Sequence, residues 1–199
     1  LLPDAFAEKP KKLKIKTAYK IIAVGSLEAL YKAPDVAIDA IALLEKKGLN
    51  VELTWLGDGR FKGAMIEYAK KKCILDRVKF MGNVANAEDV RTYLDFADLF
   101  VLPSRTEGLP RAIVEAMARG LPCVSTTAGG IPELLDNVSL VPVNDPKLLA
   151  EKILEFLTEQ GLADAQAARN LEKAKSYAFE LLEAKRIEFY QYLKSITQT

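Results

Sequence analysis

Short apolar segments alternate with longer amphipathic segments along most of the chain. Six of the short segments are often β-branched, which is typical of buried strands: Ile21 to Val24, Val51 to Trp55, Val78 to Met81, Leu99 to Leu102, Cys123 to Thr126 and Leu140 to Val143. In several of the stretches between them, apolar residues recur at the three- and four-residue intervals of a helix. This alternation predicts an α/β fold, a Rossmann-like doubly wound parallel sheet whose ligands bind at the carboxyl ends of the strands.

Apolar spacing and terminal residues also place several helices. The first has Asp35 as its predicted N-cap, after Pro34, and ends near Gly48. The last, Ser176 to Ser195, is amphipathic, and core packing is one interpretation of its apolar face. That face contains Arg186 together with Phe179, Leu182, Phe189, Tyr190 and Leu193.

The segment from Pro103 to Pro122, PSRTEGLPRAIVEAMARGLP, carries the candidate chemistry. Glu107 and Glu115 are eight residues apart, and a helix from Leu109 to Ala118 with Pro110 in its first turn would separate them by roughly 12 Å. Free N–H groups at the start of that helix suit a phosphate. A phosphate site between two carboxylates that can accept hydrogen bonds from hydroxyl groups indicates a nucleotide-sugar site.

This segment resembles the E-x7-E signature of the retaining, GT-B-fold glycosyltransferases called group 1 or family 4. Four further stretches occur in the family's order: VGSL followed by Lys32, LGDG, VKFMGNV and GLPCVSTTAGGIPELL, at residues 24–27, 56–59, 78–84 and 120–135. Each match alone is weak, but five in register are strong. The chain is therefore identified as similar to the carboxy-terminal, donor-binding half of a GT-B fold.

The resemblance implies a domain organisation. Residues 1–18 would be an interdomain linker, residues 19–175 the Rossmann-like domain that binds the nucleotide-sugar, and residues 176–199 a terminal helix of the kind that commonly crosses to the other domain. The chain begins with Leu rather than Met and has no room for an amino-terminal acceptor domain. We therefore expect a piece of an enzyme that transfers a hexose to a glycan or lipid-linked acceptor, and we expect this piece alone to be inactive.

The same resemblance assigns roles to individual residues. Lys32 and Glu107 would be catalytic, with Lys32 on the diphosphate and Glu107 on the hydroxyl groups of the sugar, while Glu115 would bind the ribose. The other donor contacts would come from Gly25, Ser26, Asn83, Val84, Gly108 and Leu109, with the base near residues 82–84. No Asp-x-Asp motif occurs, so we expect no metal and no cofactor, with protein groups stabilising the diphosphate.

One position departs from the family pattern. Ser26 stands where many relatives have Arg, so one of two usual diphosphate cations is absent. Arg60, Lys62 and Arg105 are candidates to replace it. The loop Ala128-Gly129-Gly130 would line the donor pocket, although an ordinary turn is an equally simple interpretation.

Two other functions stay open. The stretch GDGRFKG, Gly57 to Gly63, has a spacing similar to an NADP-binding turn, with Arg60 near the 2′-phosphate. It follows the second strand rather than the first and leaves the two glutamates unexplained. The other alternative is a non-catalytic nucleotide-binding module, which the serine at position 26 favours.

Composition narrows the class of partner. With 199 residues, half of them apolar, and a net charge of +1, the chain suits one globular domain and does not suggest nucleic-acid binding. Six lysines near the start indicate either a solvated linker or a peripheral contact with a cytoplasmic membrane surface: Lys9, Lys11, Lys12, Lys14, Lys16 and Lys20. Cys73 and Cys123 are expected to be buried reduced thiols of a cytoplasmic protein, and without histidine a Cys/His zinc site is excluded.

Overall fold

The computed structural model describes residues 1–197, with a six-stranded parallel sheet at the centre. The strands are β1 (Tyr19–Val24), β2 (Val51–Leu56), β3 (Val78–Gly82), β4 (Leu99–Leu102), β5 (Cys123–Thr126) and β6 (Leu140–Val141). Each neighbouring pair is parallel, and the order is β3-β2-β1-β4-β5-β6. This is the strand order of a Rossmann-like, doubly wound sheet, so the predicted fold class is confirmed.

Helices cover both faces of this sheet. They are α1 (Pro34–Lys46), α2 (Lys62–Lys71), α3 (Ala87–Phe96), α4 (Arg111–Ala118), α5 (Pro146–Thr158), α6 (Gln160–Lys175) and α7 (Phe179–Thr197). One face is covered by α1, α2 and α5, and the other by α3, α4 and the end of α6. Because both faces are buried, the central strands β1 and β4 have consecutive buried apolar positions, and Ile21 and Ile22 enter opposite cores.

The predicted starts of two helices are wrong by one or two residues. α1 begins at Pro34, so Asp35 lies inside its first turn and Ala33 is the N-cap. α4 begins at Arg111, because Pro110 keeps an extended backbone and is itself the N-cap. Neither α3 nor α6 follows from the apolar spacing, since α3 buries a single leucine and α6 buries mainly alanine.

Residues 1–18 contact the domain at a few points, while four of their five lysines are exposed, so their role as an interdomain linker stays a prediction. Leu13 is buried, and its N–H donates to Asp164 Oδ1 at 2.8 Å. Lys16 Nζ donates to Asp98 Oδ1 at 2.5 Å. Part of the positive charge of this segment is therefore neutralised by the domain itself.

Helix α7 exposes its apolar stripe. Phe179, Leu182, Phe189 and Tyr190 are each at least 39% exposed, so the core-packing interpretation of this helix is wrong. Within residues 1–197, none of the helices combines the length and the apolar character needed to cross a membrane.

The two cysteines differ in environment. Cys123, on β5, is buried as predicted, and burial raises the pKa of its thiol. Cys73, just beyond the end of α2, is exposed, so the prediction of a buried thiol is wrong there.

Candidate functional site

The candidate site lies where the two halves of the sheet diverge. β1 and β4 are adjacent, yet α1 follows β1 on one face of the sheet and α4 follows β4 on the other. Loops that leave a parallel sheet on opposite faces mark the switch point at the carboxyl ends of the strands, the usual position for a ligand in this fold. Lys32 lies in the first loop and Glu107 in the second.

Lys32 and Glu107 form an ion pair that joins these loops. Lys32 Nζ donates to Glu107 Oε1 at 2.6 Å, and the two side chains are 13% and 7% exposed. Ser104 is fully buried and donates from Oγ to the same oxygen at 2.6 Å. Lys32 Nζ also lies 5.2 Å from the centre of the Tyr31 ring. Both predicted catalytic residues thus meet, and Ser104 joins them, a residue that only its position in the PSRTEG stretch could have indicated.

Gly25 and Ser26, just after β1, make local contacts. A Cβ on Gly25 would lie 3.1 Å from Lys32 Cγ, so the glycine leaves space for the lysine side chain. Its carbonyl oxygen accepts a hydrogen bond from Trp55 Nε1 at 2.8 Å. Ser26 Oγ accepts from the N–H of Glu28 at 3.1 Å and so stabilises a local turn.

The loop Ala128-Gly129-Gly130 packs directly on the Glu107 loop. The N–H of Gly130 donates to the carbonyl oxygen of Gly108 at 2.9 Å. Gly129 has a φ of 53°, and a Cβ there would lie 1.8 Å from the carbonyl oxygen of Glu107. Glycine is needed at position 129 for both reasons, and any side chain there would displace the backbone that carries Glu107.

Glu115 lines a second part of the site, a cleft of about 640 Å³ between α3 and α4. Val84, Leu109 and Arg111 line the same cleft. The Glu115 side chain is 29% exposed, and its Oε1 accepts a hydrogen bond from Arg111 at 3.2 Å. Asn83 and Val84 also line an adjoining depression of about 480 Å³. The structure therefore gathers four predicted donor residues here, apart from the Lys32–Glu107 pair.

The phosphate site expected at the start of α4 is shifted relative to the helix. Gly108 and Leu109 precede the first helical residue, Arg111, so their N–H groups belong to the loop rather than to the first turn. Pro110, between them and the helix, has no N–H to donate. Any phosphate contact from Gly108 and Leu109 would therefore come from loop amides just ahead of the positive end of the helix.

The three cations considered as replacements for the missing arginine all have protein partners. Arg105 Nη2 pairs with Asp35 at 2.6 Å, and Lys62 Nζ pairs with Asp58 at 3.1 Å. The side chain of Arg60 donates to a backbone carbonyl at 2.9 Å. Among the described residues, no group of three or more His, Cys, Asp or Glu is arranged to hold a metal ion.

The GDGRFKG loop requires glycine at positions 57 and 59 because its backbone packs directly against another loop. Gly57 and Gly59 both have positive φ, and a Cβ on either would lie 2.1 Å from the backbone of the loop after β1. The N–H of Gly59 donates to Asp58 Oδ1 at 2.8 Å, and this bond, followed by the one from Lys62, holds the pKa of the Asp58 carboxyl below its usual value. Close packing therefore accounts for the spacing that is similar to an NADP-binding turn.

Sequence comparison identifies relatives along most of the domain. Residues 18–159 match the family model described as glycosyl transferases group 1. The chain is 40% identical over 142 residues to the amylovoran biosynthesis glycosyltransferase AmsK of Erwinia amylovora, covering 67% of this chain and 34% of AmsK. It spans 45% or less of the length of the first curated relatives that it matches.

Solved structures share the fold. HepE of Anabaena, determined in complex with UDP-glucose, is 24% identical with a TM-score of 0.77, and the match covers 91% of this chain and 50% of HepE. The C-terminal domain of the glycosyl transferase group 1 family protein LpcC of Francisella tularensis is 19% identical with a TM-score of 0.74, covering 90% of this chain and 99% of that domain. At these identities the likeness concerns the fold alone.

Proposed function

The chain belongs to the glycosyl transferases group 1 family, and we propose that it binds the nucleotide-sugar donor of a retaining glycosyltransferase. The observation that carries the proposal is the Lys32–Glu107 ion pair at the carboxyl ends of β1 and β4. A lysine and a glutamate, both mostly buried, at the switch point of a doubly wound sheet would offer a cation and an acceptor to a charged, hydroxyl-rich ligand.

Lys32 would stabilise the diphosphate that leaves when the anomeric C–O bond breaks. An ammonium group has three N–H donors, and one of them is used on Glu107. Each charge-assisted hydrogen bond to the diphosphate would contribute about 1.5 to 3 kcal/mol. The loop amides of Gly108 and Leu109 would add to this stabilisation.

Glu107 and Glu115 would divide the recognition of hydroxyl groups between them. Within residues 1–197, Lys32 and Ser104 both donate to Oε1 of Glu107, and Oε2 would accept from the transferred hexose. Glu115 would accept from the ribose in the cleft, with the base close to Asn83 and Val84. No metal would be required, because side-chain and backbone donors would meet the charge of the diphosphate.

The relatives support a role for the whole protein in building a polysaccharide. AmsK is named for amylovoran biosynthesis, and HepE was crystallised with UDP-glucose. This chain spans about half of HepE, so a further domain would hold the glycan or lipid-linked acceptor. We expect the 199 residues alone to catalyse no transfer, because the acceptor hydroxyl must approach within about 3 to 3.5 Å of the anomeric carbon.

A thermal-shift screen of UDP, GDP and ADP and their hexose conjugates, each with and without EDTA, tests the proposal. At 100 times Kd a ligand stabilises the folded state by about 2.7 kcal/mol, which should raise Tm by roughly 5 to 10 °C. The shift should survive EDTA. Glu67→Gln, on the exposed side of α2, is a control that should leave the shift unchanged. Absence of any shift at millimolar ligand, or a shift abolished by EDTA, would contradict the proposal.

A further inference from the structure

Arg105 has the densest set of contacts near the site, although none of its predicted roles accounts for them. Its guanidinium donates to both carboxylate oxygens of Asp35 (3.0 and 2.6 Å) and to the carbonyl oxygen of Leu30 (2.6 Å). Nε donates to Asn144 Oδ1 at 2.7 Å. Its backbone N–H donates to the carbonyl oxygen of Tyr31 at 2.7 Å.

These bonds connect the two loops that carry the ion pair. Leu30 and Tyr31 immediately precede Lys32, and Asp35 lies three residues after it, in the first turn of α1. Arg105 itself lies two residues before Glu107. The lysine loop is therefore fastened to the glutamate loop on both sides of Lys32, by bonds that do not involve Lys32.

Two positions that this network holds have a left-handed backbone, which is strained for alanine and common for asparagine. Ala33, next to Lys32, has φ 53° and ψ 52°, and Asn144 has φ 59°. A left-handed backbone is unfavourable for alanine and persists only where surrounding contacts enforce it. The network around Arg105 supplies such contacts, since Ala33 lies between the accepting carbonyls of residues 30 and 31 and the carboxylate of Asp35.

The hydrogen bonds of the Arg105 guanidinium suit a residue that holds the two loops together rather than one that contacts a ligand. The planar fork of Arg105 makes a bidentate pair with Asp35 and uses two further donors on Leu30 and Asn144, which makes four of its five N–H groups. The carboxylate of Asp35 offsets the positive charge of Arg105. These contacts favour a positioning role over the replacement of the missing diphosphate cation, because four of the five N–H donors already bind protein acceptors.

We infer that Arg105 is a positioning residue, which holds Lys32 where it pairs with Glu107 and thereby sets the affinity for the nucleotide-sugar. The inference rests on the proposed function for its effect on the ligand. Its effect on Lys32 does not depend on any ligand.

The ligand-free test measures acetylation of Lys32 by an amine-reactive reagent, with mass-spectrometric detection and the exposed Lys79 as internal reference. In Arg105→Ala the relative labelling rate of Lys32 should rise about fivefold or more, because an ion-paired, mostly buried amine becomes accessible. In Arg105→Lys the labelling rate of Lys32 should lie between those of the wild type and Arg105→Ala, since the lysine can restore one of the lost hydrogen bonds. Arg119→Ala is the matched control, because Arg119 also combines a bidentate carboxylate, that of Asp95, with a carbonyl acceptor. It should leave Lys32 labelling unchanged.

The ligand test titrates UDP and UDP-glucose into the same variants by calorimetry. Arg105→Ala should weaken UDP-glucose about tenfold, the equivalent of one lost charge-assisted hydrogen bond, while Arg119→Ala changes nothing. If Arg105→Ala fails to fold, Arg105→Lys and Asp35→Asn carry both tests. The inference would be overturned if Arg105→Ala left the labelling rate of Lys32 unchanged, or if Arg119→Ala raised that rate equally. It would also be overturned if the Arg105 variants bound UDP-glucose with wild-type affinity. Wild-type protein that binds neither probe, with Lys32 labelling as expected, would count against a UDP-sugar as the donor and would still support the effect of Arg105 on Lys32.

Discussion

Two glutamates from one short segment occupy opposite kinds of environment. Glu107 is 7% exposed, shares one oxygen between Lys32 and Ser104, and sits on a backbone that touches Gly129. Glu115 is 29% exposed on the wall of a cleft, and its partner Arg111 is 88% exposed. The Glu107 carboxylate is therefore held by contacts within the domain, whereas the Glu115 carboxylate is partly open to solvent.

The two glutamates therefore differ in their contribution to stability, a difference that the E-x7-E spacing alone does not indicate. A carboxylate whose oxygen already serves two protein donors contributes to stability before any ligand arrives. A carboxylate that a surface arginine alone contacts contributes little to stability, since such pairs are worth only a few tenths of a kcal/mol. Substitutions in the two regions should therefore differ first in stability and only then in ligand affinity.

The largest effect is expected from Glu107→Ala. Removing the carboxylate leaves the mostly buried ammonium of Lys32 without its partner, and the free energy of unfolding should fall by about 3 kcal/mol. Urea denaturation measures the change. Glu115→Ala, the matched control, should change it by less than about 0.5 kcal/mol.

A double variant sharpens this result. Lys32→Met combined with Glu107→Leu removes both charges, so most of the loss seen in Glu107→Ala should be recovered. Equal destabilisation by the single alanine variants of Glu107 and Glu115 would show that burial of the ion pair does not distinguish the two regions.

Gly129→Ala should have the next largest effect. A left-handed alanine costs about 1 to 3 kcal/mol, and its Cβ would also press on the carbonyl oxygen of Glu107. Thermal denaturation should show the loss. Gly63→Ala is the control, since a Cβ there meets no described atom within 4 Å and α2 favours alanine, so no destabilisation is expected. A Gly129→Ala protein as stable as the control would mean that the two loops can separate freely.

Glu115→Gln should alter binding with little change in stability. Losing a charged acceptor for the ribose should weaken UDP about tenfold, while the unfolding free energy stays within about 0.5 kcal/mol of the wild-type value. Glu107→Gln should instead spare UDP and weaken only UDP-glucose. Calorimetric titration of both ligands into both variants would refute this division of roles if the losses were equal.

The smallest effect is the pH dependence of the turn at Asp58 and Gly59, where the Gly59 N–H donates to the Asp58 carboxylate. Because the folded-state pKa of Asp58 lies below its ordinary value of 3.8, its contribution is present above that value and disappears as pH falls through the lower, folded pKa. An NMR titration should show the Gly59 amide shifting in that acidic range, and Asp58→Asn should remove the shift. A Gly59 amide that titrates above pH 3.8 would contradict the assignment.

Local patterns in the sequence determine the framework of this domain. Consecutive apolar positions identify β1 and β4, because both faces of the sheet are covered there, and β4 and β5 have their predicted bounds. The spacing of Glu107 and Glu115 across a strand-to-helix turn indicates a ligand site, because such turns collect at one edge of a parallel sheet. These features depend on neighbours within a few residues, so the strands can be identified and the ligand site predicted from the sequence alone.

Tertiary structure alone decides which of these residues meet. Lys32 and Glu107 are 75 residues apart, as are Arg105 and Leu30, and each contact exists because β1 and β4 are adjacent in the sheet. No local pattern specifies that adjacency. The exposure of Cys73 is decided in the same way, because burial depends on which elements pack over a position rather than on the residue type that occupies it.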